Sequence, residues 1–164
     1  MLYHTFSFHS WLYPFQNGSS RTIFSKDRDD FTTADSSKHI TFVIGSDNKP
    51  DFTMAKDEDP SVTHSFKGNG TYGQDTWVYS IISGVMNNGY QTSITFYKND
   101  AVDRIVSNDP IFMIDFAAYP AYLAAHRAST TTWTTDYFEG YIYEFHIYNE
   151  AYTPQSTTHY TTTG

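Results

Sequence analysis

Turn-forming clusters divide this chain at short intervals: QNGSS (16–20), SDNKP (46–50), KGNG (67–70), MNNG (86–89), YKND (97–100) and SNDP (107–110). Between them lie short runs rich in Phe, Tyr, Ile, Val and Thr. Gly, Asn and Asp accept the backbone of tight turns, and β-branched and aromatic residues suit a pleated surface. Strand-length runs at this spacing predict an all-β sandwich or barrel. Strands are expected near 5–13, 21–26, 39–45, 50–55, 61–66, 76–83, 92–98, 101–106, 111–115 and 137–148. AAYPAYLAAHRA (117–128) alone has helical composition, and Pro120 reduces it to one expected helical turn in a long loop.

Alternation assigns faces. Phe6, Phe8, Ser10 and Leu12 share one side of the first strand, and His9, Trp11 and Tyr13 share the other. Trp77, Tyr79 and Ile81 oppose Val78, Ser80 and Ile82, so this strand is apolar on both sides and expected at the centre of a sheet. Ile94 and Phe96 oppose Thr95 and Tyr97. The last strand slips phase: Phe138, Gly140 and Ile142 have one parity, Phe145 and Ile147 the other. One extra residue at Tyr143-Glu144 restores a single apolar face, so a β-bulge is predicted there. The strand is expected to be central, with Ile142, Phe145 and Ile147 all buried.

At 164 residues the chain suits one domain, and a chain of that length needs no disulfide or metal staple. The absence of Cys excludes thiol catalysis and iron–sulfur clusters. Aromatics reach 18% against 17% charged residues, the reverse of a disordered composition. Ten basic against eighteen acidic residues give a net charge of −8, which excludes nucleic acid as an expected partner. No run of 18 apolar residues exists, so no membrane-inserted helix is expected. The first residues have no basic segment followed by an apolar one, and a signal peptide is not read there.

These runs resemble the laminin G-like, concanavalin A-like jelly-roll domains. FSFHSWLYP (6–14), RTIFSKD (21–27), ITFVIGSDN (40–48), DTWVYSIISG (75–84), SITFYKND (93–100), PIFMI (110–114) and YFEGYIYEFHIYNEAYTPQ (137–155) follow the family's order. The closing block is the most specific part, with Phe138, Gly140, Ile142, Glu144, Phe145, Ile147, Tyr148, Asn149, Ala151 and Thr153 in the family's pattern. The resemblance implies an antiparallel two-sheet jelly roll over residues 1–155, followed by a Thr-rich tail or final strand over 156–164. It also implies a non-catalytic extracellular module for recognition or adhesion, binding glycans or cell-surface or matrix proteins.

Three departures bear on this. The family's usual first strand is absent, so the chain is expected to be a piece of a longer protein, or its open edge to be covered by the tail or by another copy. Strand addition would make it a structural subunit of a filament-like assembly. Tyr143 stands where the family often has Asp near a structural calcium. Asn99-Asp100 replace the usual Gly in a hairpin turn, which those residues tolerate.

Candidate sites are few. Glycosidases on this fold carry carboxylates that alternate along one strand. No Glu-x-Asp-x-x-Glu is present, and Glu139 and Glu144 have odd spacing. A glycoside hydrolase with an unrecognised site is therefore the third alternative, and no catalytic residues are expected. Asp27, Asp29 and Asp30 in KDRDD (26–30), with Asp35, and the run KDEDP (56–60) are the oxygen-rich clusters. The first three are the candidate calcium ligands, against the plainer reading of a solvated loop. Seven His show neither HxH nor HExxH spacing, and no Gly-x-Ser-x-Gly elbow exists. The His9, Trp11 and Tyr13 stripe would stack on sugars if exposed, but is expected to be core. Tyr141, Tyr143, His146 and Tyr148 form a second aromatic set. Asn87 and Asn88 are candidate hydrogen-bond partners for a ligand, with Tyr141 and Tyr143 as stacking surfaces. Asn17 and Asn69 head two glycosylation sequons in expected turns.

Overall fold

The computed structural model describes residues 5–15, 18–27, 38–55, 63–87, 91–108, 121–125 and 136–154. They form ten strands: β1 (Thr5–Pro14), β2 (Arg21–Asp27), β3 (Lys38–Ile44), β4 (Pro50–Ala55), β5 (Thr63–Lys67), β6 (Val78–Asn87), β7 (Gln91–Lys98), β8 (Ala101–Asn108), β9 (Ala121–Leu123) and β10 (Gly140–Tyr148). Two five-stranded sheets result, ordered β10-β1-β6-β7-β8 and β5-β4-β3-β2-β9, with antiparallel pairing throughout. This is the two-layer jelly roll expected from the strand and turn pattern.

The core is built by phenylalanines from both layers. Phe6, Phe8 and Leu12 of β1 meet Phe24, Phe42 and Phe52 of the opposite sheet. Ring centroids lie 5.4 Å apart for both Phe8–Phe24 and Phe8–Phe52. Phe6 lies over its cross-strand partner Gly84, where any Cβ would collide with the ring. The alternation assigned to β1, β6 and β7 holds: Val78, Ile82, Ile94 and Phe96 join the core cluster. β6 is central in its sheet.

The bulge falls where the phase slip puts it. Trp11 pairs with Glu144 and Leu12 with Ile142, leaving Tyr143 as the extra residue. Ile142 and Phe145 consequently both pack against the core. Two expectations for this strand fail. β10 is the edge of its sheet, not its centre. Ile147 is 42% exposed. Its partner in register is the core residue Phe8, but at the sheet edge little lies opposite, because β9 is only three residues long.

The Ala-rich segment also departs from expectation. Residues 121–123 pair with Lys26, Ser25 and Phe24 of β2 instead of forming a helical turn. An open strand edge supplies backbone partners that a three-residue helical turn lacks, so tertiary pairing overrides propensity. Ala124, at φ 62°, ends the strand and donates its N–H to the Ile23 carbonyl at 2.8 Å. The expected strand at 111–115 and the tail at 156–164 lie outside the described residues.

Candidate functional site

Side chains on the far side of β1 face away from the opposite sheet. His9, Trp11 and Tyr13 are absent from the core cluster, and the expectation that this stripe is core is wrong. Alternation puts aromatic residues on both faces of β1, and the inner face is already filled by Phe6, Phe8 and Leu12. β6 adds Tyr79, with Trp77 just before it, and β10 adds Tyr141. The bulge turns Tyr143 to the same side.

Trp11 stacks on Tyr79 at 4.9 Å and meets Trp77 edge-on at 6.4 Å. Tyr13 packs against Trp77 at 5.2 Å and Tyr141 at 5.9 Å. Phe15, just past β1, meets Tyr141 edge-on at 5.0 Å, and Tyr143 reaches Trp77 at 6.5 Å. Trp11, Phe15, Trp77, Tyr141 and Tyr143 are all exposed, Tyr143 at 73%. Isolated exposed aromatics are ordinary, but a contiguous exposed patch marks a contact surface.

The patch stops at His9 because the chain folds back over the sheet after β10. The Tyr152 N–H donates to Ser83 Oγ at 2.9 Å, and its ring meets His9 at 5.1 Å and Tyr97 at 5.1 Å. This strap explains why Ile81 and Tyr97 are buried although neither belongs to the core cluster. A cleft of about 320 Å³ lies beside it, lined by Ser7, His9, Tyr148, Glu150, Ala151, Tyr152 and Thr153. His9 Nδ1 is 2.9 Å from Tyr79 Oη, and Nε2 is 3.0 Å from Ser7 Oγ. Burial pushes the His9 pKa down, and the nearby His146 adds to this while Asp100 opposes it. One carboxylate, Glu150, lines the cleft.

The sequence candidates divide. Tyr141 and Tyr143 lie in the exposed patch. Asn87 ends β6, at the opposite end of that strand from Trp77, roughly 30 Å away at strand rise. The structure therefore does not bring it to the tyrosines. Asn88 lies outside the described residues, as do Asn17, Asp29 and Asp30, and the Asp27 side chain is not described. No group of three or more potential metal ligands occurs among the described residues. Asn69 is exposed, and its N–H donates to Asp103 Oδ2 at 2.7 Å. Sequence reasoning named the first-strand stripe but put it inside. The composition of its neighbours, aromatic at 77, 79, 141 and 143, carried the signal that the outer face is also aromatic.

This jelly-roll architecture defines a class, and a family comparison agrees. The family model described as the concanavalin A-like lectin/glucanases superfamily matches residues 3–156. The chain belongs to this laminin G-like family. No curated protein sequence matches it. Among solved structures, the CBM40 of Ruminococcus gnavus IT-sialidase bound to α2,3-sialyllactose superposes with TM-score 0.69 at 8% identity, covering 93% of this chain and 79% of that one. A heptameric SAP-like pentraxin from Limulus polyphemus gives 0.61 at 13% identity, covering 93% and 67%. The receptor-binding domain of botulinum neurotoxin C/D mosaic serotype gives 0.63 at 9% identity, covering 93% of this chain. The chain spans 34% of that domain's length. Identities this low establish the shared fold.

Proposed function

We propose that this chain is a non-catalytic recognition module that binds glycans, alone or on surface proteins, through the outer aromatic face of β1, β6 and β10. The observation that carries this reading is the contiguous exposed patch of Trp11, Phe15, Trp77, Tyr141 and Tyr143. Pyranose rings present apolar C–H faces that pack on aromatic rings, while their hydroxyls need polar partners at the rim. The carbohydrate-binding and receptor-binding neighbours support a binding role on this fold. The cleft's single carboxylate supports binding over glycoside hydrolysis, which requires a pair. The module acts extracellularly or at a cell surface, in keeping with its two sequons.

The test is a glycan array followed by titration of a hit, read by tryptophan fluorescence. Trp77→Ala combined with Tyr143→Ala should weaken binding at least about tenfold, while stability stays within about 0.5 kcal/mol because both residues are exposed. No hit on the array, or a hit bound equally by the double variant, would sink the proposal.

A second reading has its own observation. β10 forms a sheet edge with Tyr141, Tyr143, Ile147 and Tyr148 exposed, and an open apolar edge templates strand addition. The chain would then be a subunit of a surface assembly, made with other copies of itself or with the rest of a larger chain. Concentration-dependent polymers in light scattering, abolished by Ile147→Lys, would favour it.

A further inference from the structure

We infer that Arg21 forms the floor of a small oxyanion site at the loop end of the sandwich, apart from the aromatic face. Arg21 opens β2 and pairs in register with the core residue Ile44. Cross-strand partners share a face, so its side chain enters between the sheets. It is 1% exposed. Nη2 donates to Asn48 Oδ1 at 2.6 Å, but Nε and Nη1 have no acceptor from the protein. Burial alone depresses its pKa, with no acidic neighbour acting on it. A guanidinium does not lose its proton in a protein, so the positive charge stays. Asp47, one residue from Asn48, is already held by Lys67 Nζ at 2.8 Å and by the Lys49 N–H.

The guanidinium is held in place rather than loosely packed. Asn48 sits in the left-handed region at φ 61°. Its N–H donates to the Gly45 carbonyl at 2.8 Å, and its carbonyl accepts from the Tyr72 N–H at 2.7 Å. Tyr72 is itself fully buried, with its hydroxyl 2.6 Å from Ser80 Oγ. Access is shallow. The exposed Gly18 N–H reaches Asn48 Oδ1 only at 3.4 Å, and open space lies where a Gly18 Cβ would project. A buried charge held rigidly with unused donors, beside a weakly engaged N–H, suits the planar fork of a carboxylate, phosphate or sulfate. The oxyanion would accept from Arg21 Nε or Nη1 and from the Gly18 N–H.

The experiment follows the Arg21 Nε–H resonance in the ¹⁵N-labelled full chain. Sodium phosphate, acetate and glucuronate are each titrated against sodium chloride at matched ionic strength. The expected result is a saturable shift of that resonance and a rise in melting temperature with an oxyanion and not with chloride. Arg21→Met should weaken the response by about tenfold or more. Equal responses to phosphate and acetate support a free anion, and a response confined to glucuronate supports the carboxylate of an acidic sugar. The proposal is overturned if no oxyanion shifts the resonance saturably, or if Arg21→Met keeps the thermal response. Should that variant not fold, the wild-type resonance decides alone. The site shares no residue with the aromatic patch, so either can fail without the other.

Discussion

The indole of Trp11 lies on the phenol ring of Tyr79, centroids 4.9 Å apart and planes 20° from parallel. The two are direct cross-strand partners on β1 and β6. Tyr79 also anchors the next position, its hydroxyl 2.9 Å from His9 Nδ1. One side chain therefore joins the exposed half of the outer face to the half covered by the strap.

That dual role can be separated. Tyr79→Phe removes the hydroxyl but keeps the stack, and should lower stability by about 1 kcal/mol with glycan binding unchanged. Tyr79→Ala also removes the stack, a further loss of about 0.5–1.5 kcal/mol. It frees Trp11 to change rotamer, so binding should weaken as well. Urea unfolding and fluorescence titration of both variants check this. Equal binding by the two would mean that Trp11 needs no support.

Burial ranks the phenylalanines. Phe8 contacts the Phe24, Phe52 and Phe145 rings from a fully interior position, and Phe8→Ala should cost about 3–5 kcal/mol. Phe145 stacks on Phe24 at 5.3 Å but from an edge strand, partly buried, so Phe145→Ala should cost about 2 kcal/mol. A larger loss for Phe145 than for Phe8 would show that the β10 edge is covered.

Most of the fold was legible because period-two alternation and turn residues are local signals. The β10 bulge was legible for the same reason: the break in parity at Tyr143 is written in five residues. The place of β10 at the sheet edge was not, because which strands neighbour one another depends on partners distant in sequence. β9 was missed because Ala121-Tyr122-Leu123 has no strand pattern of its own and is held by the β2 backbone. The site was half legible. Aromatic composition named Trp11, Tyr13, Tyr141 and Tyr143, but alternation alone cannot say which face is covered when both are apolar. Arg21 gave no signal at all, since its isolation depends on what packs around it.

The β7–β8 hairpin turns on Asn99 and Asp100, both at positive φ, 52° and 65°. Two such residues in a two-residue loop make the turn whose twist matches the strands. The Asn99 side chain accepts the Tyr79 N–H at 2.9 Å. Asn99→Ala loses that bond and strains the left-handed backbone, so it should destabilise by about 2 kcal/mol. Asp100→Gly relieves strain at the second position but loses the 3.3 Å contact with the Tyr152 hydroxyl, and should change stability by less than about 1 kcal/mol. Thermal unfolding of the two variants tests the asymmetry, and an equal loss in both would show that the turn conformation is misassigned.

His9 should make the fold sensitive to mild acid. Its folded pKa is depressed, first by burial and then by repulsion from His146, with Asp100 partly offsetting both. It is surrounded by Ser7, Tyr79, Tyr148 and Tyr152, none of which supplies a negative charge near neutrality. The unfolded chain therefore binds a proton more readily than the native state. Stability contributed by neutral His9 is complete above the ordinary His value of about 6.5. It falls as pH drops below that value towards the lower folded pKa. Melting temperature measured from about pH 7.5 to 5 should decline before the carboxylates titrate. His9→Gln, which keeps polar atoms near Ser7 and Tyr79 but cannot be protonated, should flatten that decline. Because Tyr152 packs on the His9 ring, protonation should also loosen the strap, read as faster exchange of the Tyr152 amide at low pH. A wild-type curve as flat as that of His9→Gln, with Tyr152 protection unchanged, would show that His9 is not the group that senses pH.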